Sequence, residues 1–279
     1  MDDYSFSGRF KEVTQTIHER VQELDFVLAF WVGGSHASGR ARKDSDINYS
    51  FLITDIDRYD ELKAVFRDLI SWRDVPGPYP EQQWEVATLK EDAQSFKDIG
   101  WHVITPEDLE PFEELFSDKI IPHKGERWVH GFKDTHLLRY QGDARKLFLD
   151  AKILYDQEGV VADVQRRIKK YPDKVAGGVC NWALNRLRKR LPWHGNPWKI
   201  HDKFCFINHL HEDLHYIAIA HYAKNKQFPM DDLRHYEEDL KTLKPDIKEL
   251  VHALVAYDDV DKSKIMTEII DELNTDRDE

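Results

Sequence analysis

Between Gly33 and Asn48 the chain sets out groups that can hold a phosphate and the cation that accompanies it. They are Gly33-Gly34-Ser35, then Gly39, the cations Arg40, Arg42 and Lys43, and the acids Asp44 and Asp46. Glycine permits positive φ and lets a ligand come close to the backbone. Backbone N–H groups in such a turn can cradle phosphate oxygens, and the Ser35 hydroxyl can donate to one. Arg40 and Lys43 bring positive charge. A carboxylate at Asp46, supported by Asp44, suits a hard cation such as Mg²⁺. An ordinary hairpin with a polar loop has a similar composition, because Gly-Gly and Asp-Ser are common in turns.

Those groups need elements to position them. Apolar runs at 26–32 and 47–54 have strand length and strand composition and flank the polar segment. They are expected to be neighbours in one mixed sheet. Asp46 and Asn48 are two residues apart, so on a strand they face the same side. Further strands are expected at 84–89, which carries Glu85, and at 101–105. Apolar residues at three- and four-residue spacing predict helices over 10–24 and 59–72. Pro76, Gly77, Pro78 and Pro80 then interrupt the pattern. From about residue 129 the reading is helical almost to the end. The expected architecture is α+β: a mixed sheet with helices over 1–125, then a helical domain over 126–279.

The order apolar strand, Gly-Ser, then Asp44-Ser45-Asp46-Ile47-Asn48 entering a second strand resembles the signature of the nucleotidyltransferase superfamily. That superfamily includes DNA polymerase β and the antibiotic nucleotidyltransferases. The run Ala151-Lys152-Ile153-Leu154-Tyr155-Asp156-Gln157-Glu158-Gly159, followed by Tyr171-Pro172, also looks like the domain junction of bacterial members. Together the two similarities take in about two thirds of the chain. The resemblance implies a small sheet domain followed by a helical bundle. It also implies transfer of a nucleoside monophosphate from a Mg²⁺-bound nucleoside triphosphate, such as ATP, to a hydroxyl of a small molecule. Gly34, Ser35, Arg40 and Lys43 would meet the triphosphate. Asp46 would hold metal with Asp44 beside it, and position 48 would be the second metal ligand. A third acid on a neighbouring strand would complete the site or act as base, and Glu85 is the candidate. The chain departs from the family at position 48, where Asn replaces an acid. An amide oxygen brings no charge to a divalent ion, so metal binding is expected to weaken. An alternative follows: the fold retained as a binding or interaction protein with impaired catalysis. If the strand at 101–105 is the one beside position 48, it offers no acid at all.

A second pattern competes for attention. His211-Glu212-Asp213-Leu214-His215 matches a zinc-protease motif, in which two His one helical turn apart bind the metal and Glu acts as base. His221 falls at the spacing of a third ligand. The longer motif needs a glycine to break the helix, and the position is Ala218. On an unbroken helix His221 lies about 240° around from His215, at about 100° per residue. Packing or surface roles for these histidines are therefore expected, with a substrate-pocket role for some of them as the alternative, and zinc proteolysis ranks third. The basic run Arg186 to Arg190 reads as a solvated helix end whose cations complement the helix dipole.

Composition narrows the classes. The chain has 279 residues, 41% of them apolar, and a formal net charge of −12. A general nucleic-acid binder carries a basic face, which this balance opposes; a cationic small-molecule acceptor would suit it. Cys180 and Cys205 cannot build a disulfide framework and are expected to be buried free thiols. No run approaches the ~20 apolar residues of a membrane span. The first residues are acidic and polar, without a signal-peptide pattern, so a cytoplasmic protein is expected.

Overall fold

The computed structural model describes residues 4–72, 83–90, 99–109, 126–129, 132–135, 148–171, 173–194, 202–227, 245–256 and 261–274. The fold is α+β: a six-stranded mixed sheet with helices, followed by a helical region.

The sheet strands are β1 (Val27–Gly33), β2 (Ile47–Ile53), β3 (Ile70–Trp72), β4 (Gln83–Leu89), β5 (Ile99–Ile104) and a later strand described below. As the apolar runs predict, β1 and β2 are neighbours in one sheet; they run antiparallel, with Gly33 opposite Asn48 and Trp31 opposite Ser50. On its other side β2 runs parallel to β5, which places Asn48 opposite Gly100 and Tyr49 opposite Trp101. Strand β4 then pairs antiparallel with β5 and sets Glu85 opposite Trp101.

Alternation along these strands sorts residues to two faces. One face carries Phe30, Tyr49, Phe51 and Trp101. Phe51 lies 4.9 Å from Phe30 and 4.3 Å from Trp101, ring centre to ring centre. Two helices cover it: α1 (Lys11–Val21), whose Thr14 hydrogen-bonds the Tyr49 hydroxyl, and α3 (Tyr59–Val65), beyond which Phe66 packs on Trp101. Between them in sequence comes the short helix α2 (Gly34–Ser38). Burying a large aromatic contributes about 1.5–3 kcal/mol, so this cluster is the main anchor of the sheet. The other face carries Trp31, stacked on Phe148, then Ser50 and Asn48.

Three expectations need correction. The helix predicted over 59–72 ends at Val65, because Ile70–Trp72 is drawn off as β3 to pair with Leu89 to Ala87 of β4. Nor is the chain wholly helical after residue 129. A two-stranded sheet joins β6 (Glu126–Val129) to β7 (Phe132–Thr135), and β8 (Lys152–Asp156) completes the large sheet beside β1. The division at 125/126 is consequently interleaved. One compact unit is Met1–Glu113 with Ala144–Lys170, and the other is Glu114–Asp143 with Tyr171–Glu279.

After β8, Gly159 turns the chain in the left-handed region (φ 70°) into α4 (Val160–Ile168). The Asp156 carboxylate accepts from the Ala162 N–H at 2.8 Å, holding that junction. The second unit contains α5 (Asp173–His194), α6 (Lys203–Lys224), α7 (Pro245–Val255) and α8 (Lys262–Asn274). Helix α5 runs through Pro192 instead of stopping before it. Cys180 is buried and Cys205 is half-buried; both are free thiols. Among the described residues no helix is long and apolar enough to cross a membrane.

Candidate functional site

The polar segment lies where β1 ends and β2 begins. Gly33 closes β1, and the chain turns at once into α2. Gly34 takes φ +67°, and a Cβ there would lie 2.7 Å from the Asn48 amide nitrogen. Glycine at 34 is therefore required twice, by the backbone angle and by the side chain it covers. Helix α2 ends in the left-handed Gly39, and the Arg40 N–H donates to the Ser35 carbonyl at 2.8 Å. A tight loop follows: the Arg42 N–H donates to the Ser45 hydroxyl at 2.8 Å, and the Ser45 N–H donates back to the Arg42 carbonyl.

Within this frame Ser35 is half-buried, and its hydroxyl makes no hydrogen bond to a described residue. Arg40 is half-buried. Arg42, Lys43 and Asp44 are exposed in the loop, away from the strand. Asp46 is half-buried one residue before β2, and its carboxylate makes no ion pair or hydrogen bond with a described residue. Asn48 is half-buried on β2, under Gly34. Two residues further along the same face, Ser50 is 1% exposed, and its hydroxyl has no hydrogen-bond partner among the described residues.

Glu85, expected to be the third acid, is elsewhere. Its strand does not touch β2, because β5 intervenes. Across that ladder Glu85 is level with Trp101 and Tyr49, while Asn48 is level with Gly100 and Val86. Neighbouring levels of a sheet face opposite sides, so Glu85 is on the helix-covered face and Asn48 on the other. There Lys63 of α3 holds the carboxylate with bonds of 2.7 and 2.9 Å. The Lys63 ammonium lies 4.9 Å from the Trp72 ring centre, and both members of the pair are about three-quarters buried. Burial and the Glu85 charge push the Tyr59 phenol upward. Glu85 is thus a structural ion-pair partner, and a role as base beside Asp46 is ruled out by its face.

Which groups stand beside Asn48 is equally definite. Its neighbours are Gly33 on β1 and Gly100 on β5. Neither neighbour supplies a side chain, let alone a carboxylate. Among the described residues no group of three or more His, Cys, Asp or Glu could hold a metal ion. A pair of Mg²⁺ ions needs several hard, charged oxygen donors. One carboxylate at Asp46 and one amide at Asn48 do not fit that requirement, and Asp44 in the exposed loop does not make it up.

The second motif lies in α6, which continues unbroken past Ala218. Here the acids are already taken. Asp213 is fully buried and sits 2.5 Å from Arg190 Nε and 2.8 Å from His194 Nε2. Glu212 is 2.5 Å from another nitrogen of the same guanidinium. Arg190 also donates to the His209 carbonyl at 3.0 Å. The basic run of α5 therefore does not end simply in solvent: its last arginine is the hub of this network. His221 is buried, with Asn225 3.0 Å from its Nδ1. Burial and the nearby His211 hold His215 well down, to about 4. Glu212, the general base of a zinc-protease reading, is bound to a cation instead of facing a metal. Nothing local to His211–His215 announces Arg190, which lies more than twenty residues earlier.

No family model matches this chain, and no curated protein matches it. Among solved structures it is similar to a nucleotidyltransferase-like protein from Exiguobacterium sibiricum 255-15. The TM-score is 0.43 at 11% identity, over 94% of this chain and 72% of the other.

Proposed function

We propose that the chain is a nucleotidyltransferase-like protein that holds a nucleoside triphosphate against Gly34 and Ser35, beside Asp46, with transfer of the nucleotide impaired. The reading is carried by the row Gly33–Asn48–Gly100 across three adjacent strands. The strand pair and the glycine turn support a phosphate-holding role. The carboxylates that would drive metal-dependent transfer are not, among the described residues. A unit charge a few ångströms from a divalent ion is worth several kcal/mol in a partly desolvated site, and each ~1.4 kcal/mol is tenfold in rate. Losing the charge at position 48 and having none at position 100 therefore slows transfer by orders of magnitude.

A second reading keeps the activity: transfer of a nucleoside monophosphate to a hydroxyl of a small, cationic acceptor, of the antibiotic-modifying kind. The observation in its favour is Asp46, half-buried and uncommitted where the family's first carboxylate stands. One experiment separates the two. Labelled nucleoside triphosphates are incubated with aminoglycosides, lincosamides and nucleosides, using the natural protein and Asn48→Asp. The expected result is bound nucleotide and no transferred product from the natural protein. Robust turnover by it, unchanged or reduced in Asn48→Asp, overturns the impaired reading and establishes the second.

A further inference from the structure

We infer that the phosphates of the ligand enter this site as a free anion and not as a Mg²⁺ complex. The inference rests on the nucleotide-binding reading above and specifies how that site works.

The uncommitted groups along the row are donors. Ser35 has a hydroxyl without a partner among the described residues. Asn48 presents an amide whose N–H groups suit an anionic oxygen, where a carboxylate would suit a cation. Its lateral neighbours, Gly33 and Gly100, add neither charge nor side chain. Ser50 follows on the same face, buried, with a hydroxyl that has no partner among the described residues. A buried hydroxyl without a partner costs about 1–3 kcal/mol, so this end of β2 is primed for an acceptor. Charge is also available. Arg42 and Lys43 are exposed in the adjoining loop, and neither forms an ion pair with a described residue. Between residues 40 and 46 cations outnumber acids three to two, in a chain whose net charge is −12. The loop is thus locally basic on an acidic molecule. It can supply the counter-charge that a divalent ion otherwise brings.

The inference fixes the sign of one substitution. If Mg²⁺ bridges Asp46 to the triphosphate, removing that carboxylate weakens binding. If the phosphates enter bare, Asp46 repels them, and removing it strengthens binding. The half-buried position makes the repulsion only partly screened, so Asp46→Asn is expected to tighten binding about three- to tenfold. Binding of ATP and of GTP is measured by calorimetry in excess EDTA and in excess Mg²⁺, with inorganic tripolyphosphate as a competitor. The expected result is affinity in EDTA equal to or above that in Mg²⁺. Tripolyphosphate should compete, and affinity should fall in the double variant Arg42→Ala, Lys43→Ala. Binding that requires Mg²⁺ and is lost in Asp46→Asn overturns the inference and leaves the nucleotide-binding reading standing. Tripolyphosphate that fails to displace bound ATP overturns phosphate anchoring. No binding in either solution overturns both the inference and the reading it rests on.

Discussion

Two stretches of this chain match enzyme motifs, and the structure treats them in opposite ways. Around Gly33–Asn48 three polar side chains are left uncommitted: Ser35, Asp46 and Asn48 make no side-chain hydrogen bond to a described residue. Around His211–His215 the acids are saturated: Arg190 grips Asp213 and Glu212, and His194 faces Asp213 from the same helix. Motif letters alone do not separate these cases. The separation comes from what the rest of the fold delivers to each. To the first it brings two glycines, and to the second it brings a guanidinium. Groups held ready for a ligand add little to folding, while groups bonded to each other add little to chemistry. The contrast predicts where a substitution costs stability and where it changes binding.

The largest effect is expected in the saturated region. Asp213→Ala leaves Arg190, only 14% exposed at its side chain, with its main buried counter-charge gone. Breaking a buried pair by removing one partner costs about 3–5 kcal/mol. Urea unfolding should show a loss of that size with nucleotide binding per folded molecule unchanged. A loss below about 1 kcal/mol, within the usual range of a surface substitution, would mean that the network is not what holds α5 to α6.

The same region should also respond to acid. Burial and His211 hold the His215 imidazole down to about 4, against an ordinary 6.5. The folded protein therefore favours neutral His215, and the unfolded chain takes up the proton first. The contribution is fully present above pH 6.5 and is lost as pH falls toward 4. That loss is up to about 3 kcal/mol, reduced where water reaches the ring. Comparing unfolding free energies of the natural protein and His215→Phe between pH 7 and pH 4.5 isolates this term, because the carboxylates titrate in both. Parallel curves would break the assignment.

How much of this was legible in the residues alone follows from how far apart the partners are. Strands β1 and β2 are readable because apolar runs of strand length flank a glycine turn, and both signals are local. The face of Glu85 is not readable. It depends on β5 lying between β4 and β2, and on a register that sets Glu85 beside Trp101 and not beside Gly100. A slip of one residue would reverse it. Ile70 likewise continues the spacing of Leu62, Phe66 and Leu69, so periodicity extends the helix to it. Pairing with Leu89 ends the helix early, which is a tertiary override. Strand β8 is five residues with polar ends, Lys152 and Asp156, too short to register as a period. The Arg190 network is the extreme case, because two helices must pack before Glu212 and the guanidinium meet.

The smallest expected change in stability sharpens the comparison within a single sheet. Glu85 and Asn48 lie on opposite faces of neighbouring levels, and each was a candidate for the same chemistry. Glu85→Gln removes the charge that Lys63 holds at 2.7 Å in a site about three-quarters buried. It should cost about 1–2 kcal/mol, since the amide keeps one acceptor for the ammonium but leaves its charge unpaired. It should leave nucleotide affinity alone, because that face carries α1 and α3. Asn48→Asp changes almost no volume, and the side chain it replaces has no hydrogen bond to a described residue to lose. Its effect on stability should stay within about 0.5 kcal/mol. On the ligand side the order reverses. A carboxylate at position 48 adds a second negative charge beside Asp46, so affinity for metal-free ATP should fall and affinity for Mg²⁺ should rise. The pair of variants is read by urea unfolding and by calorimetry with ATP in EDTA. If Glu85→Gln weakened ATP binding while Asn48→Asp did not, the two faces would have to exchange roles, and the ligand would belong on the side of Trp101 and Lys63.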